Sequence, residues 1–402
     1  MQTIYANKNI PRILATKLIT PYWPGFVWTP FSSAVAATLP DPPLPGPDWL
    51  RVQNRICGIC ASDLHLLFVH VDLSVAPAAL PSTQRFYLGH EVVSEVIEVG
   101  PAVTRFKVGD RVIMDTRFGG PTCLTLGIQP LCRQCANHEY YFCENKALPG
   151  PIGAGGGWGD TYTAHESEVY PCPPDLSDDQ AALVEPLSCT VRSTLRRPPQ
   201  PGERVLVIGA GIIGLCQIMA ARAFQPDCHI TVMARYPHQA EIARRLGASD
   251  VLSGREGYAE IARRLGGKFY SAPLNKGLVV GGFDVIYDCV GSGQTMGDAL
   301  RWTRAGGSVV IVGINLNPVN IDLTLVWYHH INLIGVREHG YSAWNGQTRH
   351  DYDWVIDFIR AGRFSTDGLI THRFPFKDYK QAIAVSMSKA RERPIKVVLE
   401  YT

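Results

Sequence analysis

Two textures of hydrophobic and polar positions follow one another along this chain. From Leu50 to about Val112, short β-branched runs (LRVQNRICGIC, EVVSEVIEVG, FKVGDRVIM) alternate with turn residues, a pattern that predicts antiparallel strands. Near Pro198 the pattern changes. An unbroken apolar run (ERVLVIG) leads into a helical segment (IIGLCQIMAARAF), then a strand (HITVMA), a helix (HQAEIARRLGA), a strand (FDVIYDCVG), a helix (TMGDALRWTRAGG) and the strands SVVIVGI and NLIGV. Strands buried on both faces and alternating with helices predict a parallel, doubly wound sheet. After about Gly340 the texture is mixed again, and the chain closes on PIKVVLEY, a strand able to rejoin the first domain. The expected organisation is therefore α/β: a mostly antiparallel β domain over residues 1–188, a parallel-sheet domain over 189–340, and a return to the first domain over 341–402.

Two stretches fall outside this alternation. Pro21 to Pro47 is dense in proline and aromatic residues and is predicted to be irregular and surface-bound. Thr116 to Gly159 is rich in cysteine and glycine and reads as a long loop, which a compact domain tolerates when something such as a metal orders it.

Composition narrows the function. At 402 residues the chain exceeds one ordinary hydrophobic core. Its 38 basic and 36 acidic residues leave a net charge of +2, so nothing in the balance calls for nucleic acid or an anionic membrane, and a small molecule is the expected partner. No apolar run reaches the roughly 18 residues of a membrane span, and the first residues lack the order of a secretory signal, so a cytoplasmic location is expected. Eleven cysteines, an odd number with several at short spacing, favour metal ligation over disulfides.

Gly209, Gly211 and Gly214 stand in VLVIGAGIIG, directly after an apolar strand and opening a helix. The first glycine permits a tight turn, the second lets backbone approach a pyrophosphate, and the third lets helix and strand pack closely, while the helix N-terminus offers amide donors to phosphate. The segment Gly209, Ala210, Gly211, Ile212, Ile213, Gly214 is thus a dinucleotide site on a Rossmann fold. An NAD site usually places an acid at the end of the second strand to hold the ribose 2′-hydroxyl. Here that strand ends in Met233, Ala234 and Arg235. With Ala234 in place of an acid and Arg235 available to pair with a 2′-phosphate, NADP(H) is favoured over NAD(H).

Candidate metal ligands fall in three places. Cys60 lies in CGICASDLH, and His90 and Glu91 follow Gly89; a thiolate, an imidazole and a carboxylate suit Zn²⁺ with one position left for substrate. Cys132, Cys135 and Cys143 lie in LCRQCANHEYYFC, with Cys123 upstream, a set that matches a closed structural zinc.

Taken together, GICASD, GHE, the cysteine loop, the glycine motif and the ending IKVVL resemble the medium-chain zinc-dependent alcohol and polyol dehydrogenases over nearly the whole chain after about Asp48. VEPLS resembles the motif of the sorbitol and threonine dehydrogenase branch. The resemblance implies a GroES-like catalytic domain around an inserted Rossmann domain. It also implies a catalytic zinc at Cys60, His90 and Glu91, with Glu185 binding directly or through water. The activity it implies is reversible hydride transfer between a secondary alcohol or polyol and NADP(H). On the same basis Ser62 contacts the reacting hydroxyl, His65 continues a proton relay, and Asp63 orients a zinc ligand, expected to be His90. A homodimer or homotetramer is implied too, with the edge of the Rossmann sheet able to extend across a twofold axis. Three departures from the family pattern stand out: Gln129 occupies the first expected cysteine position, so Cys123 must reach further; the segment before Asp48 is long; and Ala234 replaces the usual acid.

The alternatives are zinc-free enone or quinone reduction on the same fold, which would need neither Cys60 nor His90, and a non-catalytic zinc and dinucleotide sensor, which would not need Ser62 and His65. Other features have plainer expectations: Gly153 to Gly159 is a flexible loop with no strand before it, Cys57 and Cys189 are packed bystanders, and His329 and His330 lie in a junction loop.

Overall fold

The computed structural model describes residues 1–74, 84–117, 120–254 and 256–401. The chain forms two compact units, Met1–Glu185 with Thr366–Thr402, and Pro186–Ser365. In chain order the strands of the first part are β1 (Gln2–Asn7), β2 (Ala34–Thr38), β3 (Trp49–Gly58), β4 (Arg85–Tyr87), β5 (Glu91–Val99), β6 (Arg111–Met114), β7 (Thr161–His165) and β8 (Val169–Pro171). Its helices are α1 (Ile10–Ile19), α2 (Ala61–Leu67), α3 (Arg133–Ala136) and α4 (Asp178–Ala182), and the division between units falls within α5 (Val184–Arg196).

The inserted unit then runs β9 (Arg204–Ile208), α6 (Ile212–Phe224), β10 (His229–Met233), α7 (Pro237–Arg245), β11 (Asp250–Leu252), α8 (Tyr258–Arg264), the hairpin β12 (Lys268–Ala272) and β13 (Asn275–Val280), β14 (Phe283–Asp288), α9 (Gly293–Trp302), β15 (Thr303–Ile311), α10 (Thr324–Tyr328), β16 (Asn332–Gly335), a second hairpin β17 (Tyr341–Trp344) and β18 (Gln347–His350), and α11 (Asp351–Arg360). β19 (Ile370–Pro375), α12 (Tyr379–Met387) and β20 (Lys396–Glu400) return to the first unit.

In the first unit β19, β20, β3, β5, β6 and β8 lie side by side, with β7 pairing β3 off that path. All of these pairs are antiparallel except β19 with β20. The core between this sheet and α12 buries Leu50, Val52, Val92, Val96, Val112, Trp158, Val397 and Leu399. In the second unit the order β11-β10-β9-β14-β15-β16 is wholly parallel, as the strand and helix alternation predicts. Leu206, Ile208, Leu252, Ile286, Ala299 and Val309 pack between that sheet and the helices on one face.

The structure differs from the sequence reading in three places. The chain returns to the first unit at Thr366, not at 341, because the second hairpin and α11 close around an aromatic side chain of α6. Phe224 sits 5.2 Å from Trp344 and 5.1 Å from Phe358, ring centre to ring centre, and these contacts hold residues 341–365 to the inserted unit. Within the stretch read as irregular, Ala34–Thr38 is a regular edge strand because β1 supplies its ladder partner, Gln2 to Ala6 pairing with Thr38 to Ala34. The glycine run Gly153 to Gly159 is not a flexible loop. Gly157 donates its N–H to the Gly89 carbonyl (2.8 Å) and Trp158 donates to Leu88 (2.8 Å). A Cβ on Gly157 would lie 2.5 Å from Cys57 Sγ and 3.0 Å from the Gly89 carbonyl, so only glycine allows this approach.

Candidate metal and dinucleotide sites

The first candidate centre is assembled by strand register. β3 and β5 pair so that Gly58 faces Glu91, which brings Cys60, just past the end of β3, beside His90, just before β5. Gly58 has to be a glycine, because a Cβ there would lie 2.0 Å from Glu91 Oε2. Cys60 caps α2, and Gly89, at φ +82, turns the chain so that His90 points toward it. The ligand atoms of Cys60, His90 and Glu91 lie within 4.8 Å of one another. Glu185 is buried but does not join this cluster.

Asp63 is buried beneath the centre. Its Oδ1 accepts the Gly89 N–H (2.9 Å) and lies 3.3 Å from His90 Nδ1. Burial works against a charged His90, but the negative charge and hydrogen bond of Asp63, together with Cys60, outweigh it and raise the imidazole pKa well above its ordinary value. Ser62 is half-buried on α2, and His65, one turn on, has its Nδ1 buried with no hydrogen-bond partner. Burial first, and then the charges of His70 and Lys389, lower the His65 pKa.

One strong participant was not read from the sequence. Lys396 of β20 is buried, and its Nζ donates to both oxygens of Glu91 (2.7 and 2.5 Å) and to the Ile59 carbonyl (3.3 Å). Burial opposes the ammonium, but the charges of Glu91, Cys60 and Glu185 hold its pKa above the ordinary lysine value. The only sequence signal was a lysine inside an otherwise apolar terminal strand. A carboxylate held on Lys396 still has lone pairs to offer, so the donor set of thiolate, imidazole and carboxylate fits Zn²⁺ with a position to spare.

The second candidate centre gathers Cys123, Cys132, Cys135 and Cys143, whose Sγ atoms all lie within 4.8 Å of one another, so Cys123 does reach the group. Backbone amides turn toward the sulfurs: Cys135 N–H to Cys132 Sγ (3.4 Å), Cys132 N–H to Cys123 Sγ (3.5 Å) and Asn145 N–H to Cys143 Sγ (3.4 Å); Asn145 Nδ2 also donates to Cys123 Sγ (3.2 Å). Against burial, the amides of Cys135 and Glu144 lower the Cys132 thiol pKa to about 6, whereas burial raises that of Cys135. Four converging sulfurs with amide donors fit a closed tetrahedral Zn²⁺. All eleven cysteines are free of disulfides.

In the inserted unit Gly209 takes φ +92 at the turn after β9, and Gly211 caps α6 with open space where its Cβ would be. A Cβ on Gly214 would lie 1.7 Å from the Gly209 carbonyl oxygen. Each glycine thus meets the demand that the phosphate turn makes of it. Ala210 is buried, Ile212 and Ile213 open α6, Ala234 is buried at the end of β10, and Arg235 is exposed, its guanidinium 5.6 Å from the centre of the Tyr236 ring. A cavity of about 590 Å³ opens at the C-terminal ends of β9 and β10, lined by Ile208, Met233, Tyr258, Thr295 and Asp298 among others. His329 follows the end of α10 and is half-buried, and Cys57 is buried, as expected of a packed bystander.

These two folds and their sites define a class. Residues 46–174 match the alcohol dehydrogenase GroES-like domain, and residues 213–361 match the zinc-binding dehydrogenase domain. The chain belongs to the medium-chain zinc-dependent alcohol and polyol dehydrogenase family and is an oxidoreductase of the alcohol dehydrogenase kind. Among its relatives, the L-idonate 5-dehydrogenase of Vitis vinifera is 29% identical over 343 residues, 85% of each chain. A sorbitol dehydrogenase of Arabidopsis thaliana is 27% identical over 356 residues, 89% of each. Of solved structures, a zinc-binding dehydrogenase of Sinorhizobium meliloti 1021 bound to NADP superposes over 100% of both chains with a TM-score of 0.70 at 24% identity, a likeness of fold. Among the described residues no helix is long and apolar enough to cross a membrane.

Proposed function

We propose that the protein reversibly oxidises a secondary alcohol, most simply one carbon of a polyol, with NADP(H) and a zinc ion, in the cytoplasm. The convergence of Cys60, His90 and Glu91 within 4.8 Å carries this reading. The names of the relatives, L-idonate 5-dehydrogenase and sorbitol dehydrogenase, support the substrate class.

Cys60, His90 and Glu91 would hold the catalytic zinc, with Glu185 binding directly or through water, and Cys123, Cys132, Cys135 and Cys143 a structural one. Bound at the first site, zinc supplies a Lewis acid that makes the substrate hydroxyl more acidic. NADP(H), when bound, supplies the hydride acceptor or donor. The chain's own residues do the rest. Ser62 accepts the proton of the substrate hydroxyl at its Oγ while passing on its own, and His65, held neutral by its lowered pKa, receives that proton. Asp63 fixes the His90 ring through Nδ1, so that Nε2 would be the nitrogen offered to the metal. The amides at the start of α6 meet the pyrophosphate, and Arg235 pairs with the 2′-phosphate, where Ala234 offers no competing charge.

The molecule is also expected to associate in twos or fours through β16. Among the described residues that strand is one of the two edges of the parallel sheet, and its own Leu333, with Leu323, Trp327 and Tyr328 just before it in the chain, is exposed.

A polyol and secondary-alcohol panel followed by NADPH and NADH absorbance, run beside elemental zinc analysis, tests the reading. Turnover lost to a chelator and restored by zinc, with a lower KM for NADPH, is the expected result. Undiminished turnover in metal-free protein would refute the zinc chemistry.

A further inference from the structure

The hairpin β12–β13 belongs to no strand of the parallel sheet, and it packs on α8 and α9, where it walls the cavity at the ends of β9 and β10. In an open α/β sheet, ligands bind outside the carboxyl ends of the strands, so this cavity lies where the adenosine half of a dinucleotide is expected. Its floor and sides are suited to a planar base: Phe269 of the hairpin, Tyr258 of α8 and Trp302 of α9 form an aromatic group, Tyr258 lying 6.2 Å from Phe269 and 5.5 Å from Trp302 between ring centres.

Lys276 stands on the same wall. Its Nζ lies 2.7 Å from Asp298 Oδ1, and the Tyr258 hydroxyl donates to that same oxygen (2.5 Å). Asp298 is buried, whereas the Lys276 side chain is 53% exposed. Two donors on one buried oxygen are not equivalent here. If Lys276 swings away, Tyr258 still satisfies Asp298, and an ion pair this exposed at its cationic end costs little to open. The cavity reaches from Met233, two residues before Arg235, to Lys276. The other acid on the lining, Glu256, accepts the Ser253 N–H at Oε1 (2.8 Å), while its Oε2 is buried without a hydrogen-bond partner.

We infer that β12–β13 is a coenzyme-binding wall and that Lys276 is a second cation for the 2′-phosphate in addition to Arg235, released from Asp298 when the nucleotide enters. This rests on the NADP(H) reading above. It is tested by titrating NADPH and NADH fluorescence on the intact protein, without turnover. In Lys276→Met, NADPH binding weakens about tenfold and NADH binding stays within about twofold, and Lys276→Arg restores the preference. Adenosine 2′,5′-bisphosphate competes with NADPH far better than 5′-AMP for the wild type, and the gap narrows in Lys276→Met. Equal weakening of both coenzymes, or of neither, in a wild type that still prefers NADPH would overturn the role of Lys276 alone. A wild type that prefers NADH would overturn the NADP(H) reading, and Lys276 with it.

Discussion

Replacing Lys396 by Met isolates the strongest buried electrostatic contact at the candidate metal centre. In the native chain the ammonium and the Glu91 carboxylate are 2% and 1% exposed and meet at 2.7 and 2.5 Å. Methionine nearly matches the aliphatic stem but removes the charge, leaving Glu91 buried without its cation. Stranding one member of such a pair costs about 3–5 kcal/mol, whereas replacing both members with neutral groups of similar shape is close to neutral. With a urea m-value of about 2–3 kcal/mol/M, Lys396→Met should lower the midpoint of the first unit's transition by roughly 1–2.5 M, and Glu91→Gln with Lys396→Met should recover most of that. Zinc adds a second handle. A cation bound by Glu91 would replace part of the lost charge, so the single variant should be restored more by zinc than the double variant is. Urea unfolding followed by intrinsic fluorescence, with chelator and with zinc, reads all four states. A Lys396→Met midpoint within about 0.3 M of wild type, or a double variant no milder than the single, would refute the argument that the pair is closed off from water.

Three further outcomes follow from the geometry. Burial first, and then the charge of Asp115, raise the Glu168 pKa from its ordinary 4.5 to about 7, against the hydrogen bond from the His165 amide and the charge of Lys146. The folded chain therefore keeps a proton that the unfolded chain has released, and stability falls as pH rises from about 4.5 to about 7, by up to about 3 kcal/mol; Glu168→Gln should flatten that part of a Tm-against-pH curve, and an unchanged slope would count against it. Cys135→Ser should release about one zinc ion per chain by elemental analysis and open the 123–145 segment to limited proteolysis, whereas unchanged metal content would remove the four-sulfur site. Gly211→Ala should leave the thermal midpoint nearly unmoved while weakening dinucleotide binding, since its Cβ meets only open space. Gly214→Ala should lower both, by about 1–3 kcal/mol in stability, because its Cβ lands on the Gly209 carbonyl; equal stability of the two variants would refute the distinction.

Legibility in the sequence followed the range over which each feature is determined. The glycines at 209, 211 and 214 answer to one turn between β9 and α6, so their spacing alone foretold their positions. The parallel sheet was readable because each strand and helix carries its own period. Cys123 lay at the limit: spacing left its membership open, and only the fold of the loop brings its sulfur within 3.8 Å of Cys143. Lys396 lay beyond it, because its partner is 305 residues away and β-strand periodicity gives no sign of a charge paired across the sheet. The same holds for Gly157, whose glycine character is fixed by Cys57 and Gly89, and for Phe224, whose rings from α11 and the second hairpin set where the chain leaves the inserted unit.

That distance has a consequence for assembly. Cys60, His90 and Asp63 come from one stretch of the first unit, and β3 and β5 could bring them together early. Glu91 lies in the same stretch, yet its counter-charge arrives only with β20, which pairs Val398 with Gly58 on the side of β3 opposite β5, beyond the stretch taken by β7. Until that strand docks, a carboxylate destined for the interior stays in water or takes up a proton, because an unpaired buried charge is the costlier state. The inserted unit has to be spanned before this happens, and loop-closure entropy grows only slowly with length, so the long insertion adds little to the final cost of closing. The docking of β20 is thus the step that gives the carboxylate of this donor set its buried counter-charge and fixes it in place. Metal affinity and the stability of the first unit should therefore rise and fall together in any variant of β20 that loosens Lys396.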